Sequence, residues 1–214
     1  METKDIYVLG VGANTIVIVD LAESAGYRVA GLYHYLPGRE GEAYYGHRIV
    51  GCNDELWQQD LTGRRFAISA GDNYVRADLY RRITERGGEV PTLVHPTATV
   101  SRYATVGRGC CIHAGAIVSA SARVGDDCVV SLGTLLAHGS TMLDHSFVAG
   151  FGLLGGGTTL GEYAFLGLGS TTISGKVPEI GGHAVVGAAT LVTRAVPERA
   201  VVAGVPGKVL RIKD

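Results

Sequence analysis

Residues 100–136 read VSRYATVGRGCCIHAGAIVSASARVGDDCVVSLGTLL, and stepping through them by six lands on Val100, Val106, Ile112, Val118, Val124, Val130 and Leu136. The series starts one step earlier at Val94 and continues through Met142, Val148, Leu154, Leu160 and Leu166, first failing at Thr172. Four residues after each apolar position lies a small one, as at Ala98, Ala104, Cys110, Ala116, Ala122, Cys128, Thr134 and Ser140. A two-residue insertion within SGKVPEI shifts the frame, and the pattern resumes at Ile180, Val186 and Val192. A period of six is neither the 3.6 of a helix nor the 2 of a half-buried strand. It fits a parallel β-helix in which three hexapeptides form one triangular coil of 18 residues, with large and small inward residues on each short face. The 32 glycines among 214 residues, about twice ordinary usage, suit its corners.

Outward from the repeats, the first 90 residues follow another plan. DIYVLGVG reads as a buried strand ending in glycines, NTIVIVDLAESAGY as a helix capped near Asn14 or Thr15 and stopped at Gly26, RVAGLY as a second strand and RRFAISAG as a third. DNYVRADLYRRITERGG gives a second helix with Val75, Leu79 and Ile83 on one face, capped by Asp72 or Asn73. Alternating strands and helices imply a small Rossmann-like parallel α/β domain over residues 1–90, followed by the β-helix over 91–214. After the first strand, Gly10-Val11-Gly12 reads equally as a phosphate cradle or as a tight strand-to-helix turn, because Thr15 stands where a third fingerprint glycine would be.

Charge and composition exclude several functions. Lys and Arg number 19 against 20 Asp and Glu, which offers no net attraction to nucleic acid or an anionic membrane. The start METKDIYVLGVGANT lacks a signal peptide, no apolar run approaches 18 residues, and Cys52, Cys110, Cys111 and Cys128 have neither zinc nor disulfide-framework spacing. The expectation is a cytoplasmic protein with reduced thiols and no metal. Cys110 and Cys128 fall on inward positions and should be inert.

The small α/β domain, the stretches AISAGDNYVR and LVHPTATVS, the hexapeptide coils and the ending VVAGVPGKVLR together resemble the sugar acetyltransferases with hexapeptide repeats. That family includes sialic acid O-acetyltransferases and the N-acetyltransferases of nucleotide-linked amino sugars, and the resemblance covers nearly the whole chain. It implies a left-handed coil and a homotrimer with acetyl-CoA, the acyl donor, in grooves between subunits. It also implies direct acetyl transfer to an amino group of a nucleotide-linked deoxysugar, with a sugar hydroxyl as the alternative acceptor. A non-catalytic β-helix binding or assembly protein is the other class left open.

The family's histidine base matches His138 in LLAHGS, which the repeat frame points outward. A near-neutral imidazole suits that role because it can be unprotonated at pH 7 and still hold the proton it accepts. His95, His113, His145 and His183 are expected to be solvated or bonded to backbone, and of these His145 is the rival base. One coil beyond His138 lies Gly156, in LLGGGTT, whose amide is the expected oxyanion donor. Gly155, Gly157, Ser174, Lys176, Arg194 and Lys208 are the expected acetyl-CoA contacts. Gly10, Gly12, Asn14, Tyr35 and Gly71 are the expected nucleotide-sugar contacts. The chain also departs from the family: Ala137 and Gly139 flank His138 where an acidic neighbour is common, Ser131 stands in place of an asparagine, Ala13-Asn14-Thr15-Ile16 in place of Gly-His-x-Lys, and His34-Tyr35 in place of an acidic pair.

Overall fold

The computed structural model describes residues 4–213, which form two compact units dividing between Leu93 and Val94. The first unit is a five-stranded sheet flanked by helices. Its elements are β1 (Lys4–Leu9), α1 (Thr15–Ser24), β2 (Tyr27–His34), β3 (Ala43–Tyr44), β4 (His47–Cys52), α2 (Asn53–Leu56), β5 (Phe66–Ile68) and α3 (Asn73–Glu85). The strand order is β3-β4-β2-β1-β5, parallel except for the β3–β4 hairpin. Ile6, Val8, Leu9, Leu32, Phe66 and Ile83 are fully buried, each worth roughly 1.5–3 kcal/mol of hydrophobic stabilisation. The sequence reading names three strands here. It omits β3 and β4, whose HRIVGC is six residues long and pairs with β2 across a loop rather than through a helix. Asp72 caps α3 by accepting from the Tyr74 and Val75 amides at 2.9 and 3.0 Å. Leu79 and Ile83 of that helix are buried, whereas Val75 is exposed.

The second unit is a left-handed parallel β-helix. Its first face stacks Thr99–Val100, Ile117–Val118, Leu135–Leu136, Leu153–Leu154, Thr171–Thr172 and Leu191–Val192. The second face stacks Thr105–Val106, Arg123–Val124, Thr141–Met142, Thr159–Leu160 and Glu179–Ile180. The third runs through Cys111–Ile112, Val129–Val130, Phe147–Val148, Phe165–Leu166, Val185–Val186 and Ala200–Ala203, closed by an antiparallel strand, Lys208–Ile212. Register confirms the 18-residue coil, since Leu136 pairs with Leu154 and Val130 with Val148. It also confirms the insertion, since Leu160 pairs with Ile180. The inserted segment tucks Val177 into the core, where its carbonyl accepts from Thr158 Oγ1 at 2.7 Å.

The apolar series fails at Thr172 without a break in the fold. Thr172 has nearly the shape of valine, is buried, and its Oγ1 accepts the Gly155 amide at 2.7 Å, so the one polar atom added to the core is satisfied. Cys110 and Cys128 stack inward and are inaccessible; the Cys110 thiol hydrogen-bonds to Cys128, which together with burial holds it protonated far above the usual thiol range. Among the described residues no helix is long and apolar enough to cross a membrane.

Candidate active site

His138 sits at the corner between the first and second faces. The left-handed backbone position of this corner is occupied in three successive coils by Gly139, Gly157 and Gly175, with φ of 67°, 74° and 71°. With no Cβ at these three positions the corner is thinned beside His138, whereas one coil earlier the same position holds Ser121 at φ 62°. His138 is exposed, and its imidazole has no hydrogen-bond partner among the described residues. It lies over Gly156, one coil on: a Cβ built on Gly156 would fall 3.0 Å from His138 Cε1 and 3.2 Å from Nε2. A side chain at this position would have to push the ring aside by a few tenths of an ångström. The sequence pairs the two residues by counting 18, and the structure brings them into contact.

The amides of the glycine run are engaged along the coil axis. Gly155 donates to Thr172 Oγ1, Gly156 to Ser174 Oγ at 2.8 Å, and Gly157 to the His138 carbonyl at 3.3 Å. An acceptor oxygen thus already sits on the Gly156 N–H, and it belongs to an exposed side chain. Lys176, Arg194 and Lys208 are exposed on the same unit.

The corner between the second and third faces is built differently. After Gly109, its left-handed positions hold Asp127, His145, Tyr163, His183 and Arg199, with φ from 50° to 61°. The Asp127 carboxylate is buried and lies 2.9 Å from His145 Nδ1. Tyr163 stacks on His145 at 4.9 Å, and His183 stacks on Tyr163 at 5.1 Å with the rings 6° from parallel. His145 is therefore neither solvated nor merely bonded to backbone. It is clamped between a carboxylate and a ring, and its partner lay one coil back in the sequence, 18 residues away. His113 is likewise buried rather than solvated, and His95 Nδ1 lies 2.8 Å from Thr97 Oγ1 and accepts from the Thr97 amide.

In the first unit a cleft of about 320 Å³ opens at the ends of β1 and β2, lined by the 10–14 turn, Tyr35, Asn53, Ser69, Ala70, Val75 and Leu79. The exposed Val75 is thus a cleft wall, not a core residue. The glycine turn is closed on itself: the Gly12 amide donates to Thr15 Oγ1 at 2.8 Å, and the Gly12 carbonyl accepts from the Thr15 amide and the Tyr44 hydroxyl, both at 3.0 Å. Asn14 Nδ2 donates to the Ser69 carbonyl at 3.1 Å and ties the turn to the end of β5. A Cβ on Gly10, φ 94°, would strike Ser69 Oγ at 2.7 Å. These residues shape the floor of the cleft, and the Gly12 N–H is already used within it. Gly71 is exposed and does not line the cleft. Asn53, which no motif marked, does. No group of three or more metal-ligating side chains occurs among the described residues.

No family model matches the chain. Among solved structures it is similar to PerB from Caulobacter crescentus, crystallised with CoA and GDP-perosamine, at 29% identity and a TM-score of 0.89 over 97% of each chain. It is also similar to the acetyltransferase domain of PglB from Neisseria gonorrhoeae, at 24% identity and 0.88 over 97% of this chain and 100% of that one. WeeI from Acinetobacter baumannii shares the fold at 19% identity and 0.86. The likeness spans both units, so the resemblance to the hexapeptide-repeat sugar acetyltransferases holds for the whole chain and not for the repeats alone.

Proposed function

We propose that this chain transfers the acetyl group of acetyl-CoA to the amino group of a nucleotide-linked amino sugar. It is an acyltransferase of the CoA-dependent sugar class. The observation that carries the reading is the exposed imidazole of His138, without a hydrogen-bond partner among the described residues, lying over Gly156 at a corner with glycine in three successive left-handed positions. His138 takes a proton from the sugar amine, the amine nitrogen attacks the thioester carbonyl, and the oxygen that becomes negative is met by the Gly156 N–H. Ser174 Oγ marks that acceptor position and turns away when the thioester arrives. Collapse of the tetrahedral intermediate expels the CoA thiolate, which takes the proton from the imidazolium, leaving an amide and CoA–SH. The inaccessible Cys110 and Cys128 support direct transfer over a covalent acyl-enzyme.

The reading extends to a homotrimer. Outward residues of the first face are Thr99, Ile117, Leu135, Leu153, Thr171 and Leu191, mostly apolar; those of the third are Cys111, Val129, Phe147, Phe165, Val185 and Val201, and the corner joining them carries exposed Leu132, Phe151 and Leu168. The second face shows Arg123, Thr141, Thr159 and Glu179. Two apolar faces meeting at an apolar edge suit closure around a threefold axis, with first face against a neighbour's third and the His138 corner at the rim of the seam. A species of three 22.4 kDa chains in sedimentation at micromolar concentration is the expected result. Residues 1–90 supply the nucleotide site in this reading, and 91–214 the transfer site. Incubation with acetyl-CoA and a panel of nucleotide amino sugars, following release of CoA–SH, tests the activity. Absence of CoA–SH release with every member contradicts it.

A further inference from the structure

We infer that Arg102, held in place by Tyr103, binds the diphosphate of the nucleotide sugar together with Arg123, two coils ahead of His138 along the same corner of the β-helix. This rests on the reading above and deepens it.

The argument starts from how charge is divided among the corners. The corner between the first and second faces is built by residues 101–104, 119–122, 137–140, 155–158, 173–178 and 193–195. It carries Arg102, Lys176 and Arg194 and not one Asp or Glu. The corner between the second and third faces, residues 107–110, 125–128, 143–146, 161–164, 181–184 and 197–199, carries Asp126, Asp127, Asp144, Glu162 and Glu198 against Arg108 and Arg199. On a chain of formal charge −1, the corner that holds His138 is thus positive along its length. Both proposed substrates are polyanions, which such a stripe attracts and concentrates.

The stripe has two ends. Lys176 and Arg194 lie on coils after His138, on the Gly156 side, where the donor's phosphates are expected; the earlier coils are left to the acceptor, and there the cation is Arg102. Its guanidinium lies 4.8 Å from the centroid of the Tyr103 ring, and Nη2 donates to the Tyr103 hydroxyl at 2.8 Å. Both side chains are exposed, and no carboxylate pairs with Arg102 among the described residues. Most of its five N–H donors therefore point to solvent in a group already ordered by its neighbour, which suits paired contacts to phosphate oxygens. Arg123 is exposed on the next coil, at the outward start of the second face opposite Thr105, and its side chain likewise has no partner among the described residues.

The spacing fits the acceptor. Val100 pairs with Val118 and Val118 with Leu136, so Arg102 stands two coils before His138. At about 4.8 Å per coil this is a separation of about 10 Å. Between them the corner presents only Ala120 and Ser121, both exposed. A hexose with its anomeric phosphate at one end and its amine at the other bridges a gap of that size. The counter-charge is needed here because the cleft of the first unit has no charged side chain among its described lining residues.

The test is calorimetric titration of the full chain with UDP, GDP, CDP and dTDP, and with CoA in parallel. Arg102→Gln should weaken whichever diphosphates bind by roughly tenfold, with CoA affinity and melting temperature unchanged. Arg102→Lys should restore only part of that loss, since an ammonium cannot make the paired contact. Arg123→Gln should cost about threefold, and the double variant should lose affinity less steeply than the wild type as salt rises. Arg108→Gln, the same change of charge at the other corner, should bind as the wild type does. With a nucleotide amino sugar that supports turnover, Arg102→Gln should raise its KM and leave the KM for acetyl-CoA alone. Unchanged diphosphate affinity in Arg102→Gln, an equal loss in Arg108→Gln, a loss shared by CoA, or no binding of any of the four diphosphates overturns the inference. Diphosphates held through Arg102 by an enzyme that releases no CoA–SH would instead overturn the acetyl-transfer reading and leave the inference standing.

Discussion

His138 and His145 stand in one coil, at two corners that share a backbone path and differ in everything attached to it. At the first corner glycine fills the left-handed position in three successive coils; at the second the same position carries Asp127, His145, Tyr163 and His183. Holding a bulky residue at positive φ costs on the order of 1–3 kcal/mol, recovered at the second corner by ring stacking and the Asp127 contact. The first corner forgoes that packing and keeps space around an unpartnered imidazole. The second is a stacked column whose histidine is paired with Asp127; at the first the histidine is exposed and has no hydrogen-bond partner among the described residues. In the proposed reading the His138 corner is distinguished by an exposed imidazole beside left-handed glycines, a combination that the His145 corner lacks.

Substitution of the two histidines breaks the comparison most directly. His138→Ala should lower kcat by about 10² to 10⁴, the range of a positioned general base, with acetyl-CoA affinity little changed. His145→Ala should leave kcat within tenfold; if the two phenotypes are exchanged, the assignment of the corners is wrong. Gly156→Ala should cost up to ~10² in kcat, because the new methyl displaces the His138 ring whose Cε1 lies 3.0 Å from its position. An unimpaired Gly156→Ala enzyme would show that the stacking of these two residues is incidental.

Two smaller effects sharpen the contrast. Asp127→Ala should reduce stability by about 1–3 kcal/mol, seen as a lower thermal midpoint, while the acetyl-transfer rate holds. Asp127→Asn, which keeps a hydrogen-bonding group and tolerates left-handed backbone, should recover most of that loss. Loss of activity in parallel with stability would move the second corner into the catalytic machinery. Last, charge reversal at Lys176, Arg194 and Lys208, all exposed, should raise the Michaelis constant for acetyl-CoA by no more than about fivefold per residue and leave kcat alone. An unchanged Michaelis constant in the triple variant would place the CoA phosphates elsewhere.

Much of this was legible in the sequence because a β-helix is nearly one-dimensional: counting by six gives the core and counting by 18 gives the neighbour. The same count reaches Gly156 from His138 and Asp127 from His145, yet it carries no information on which amides are occupied. That the Gly156 N–H meets Ser174 Oγ, and that Thr15 fills the turn where a third glycine would stand, depends on side-chain rotamers that no periodicity encodes. The first unit was less legible. Strand β4 reaches β2 without an intervening helix, and Asn53 joins the cleft through tertiary folding, with no motif at its position.

The most direct measurement is a crystal structure with acetyl-CoA bound. The account predicts the thioester carbonyl oxygen within ~3.2 Å of the Gly156 nitrogen, in the place Ser174 Oγ now holds, with the sulfur on the His138 side. A carbonyl directed to solvent with Ser174 still on the Gly156 amide, or a thioester seated against the His145 column, would contradict it.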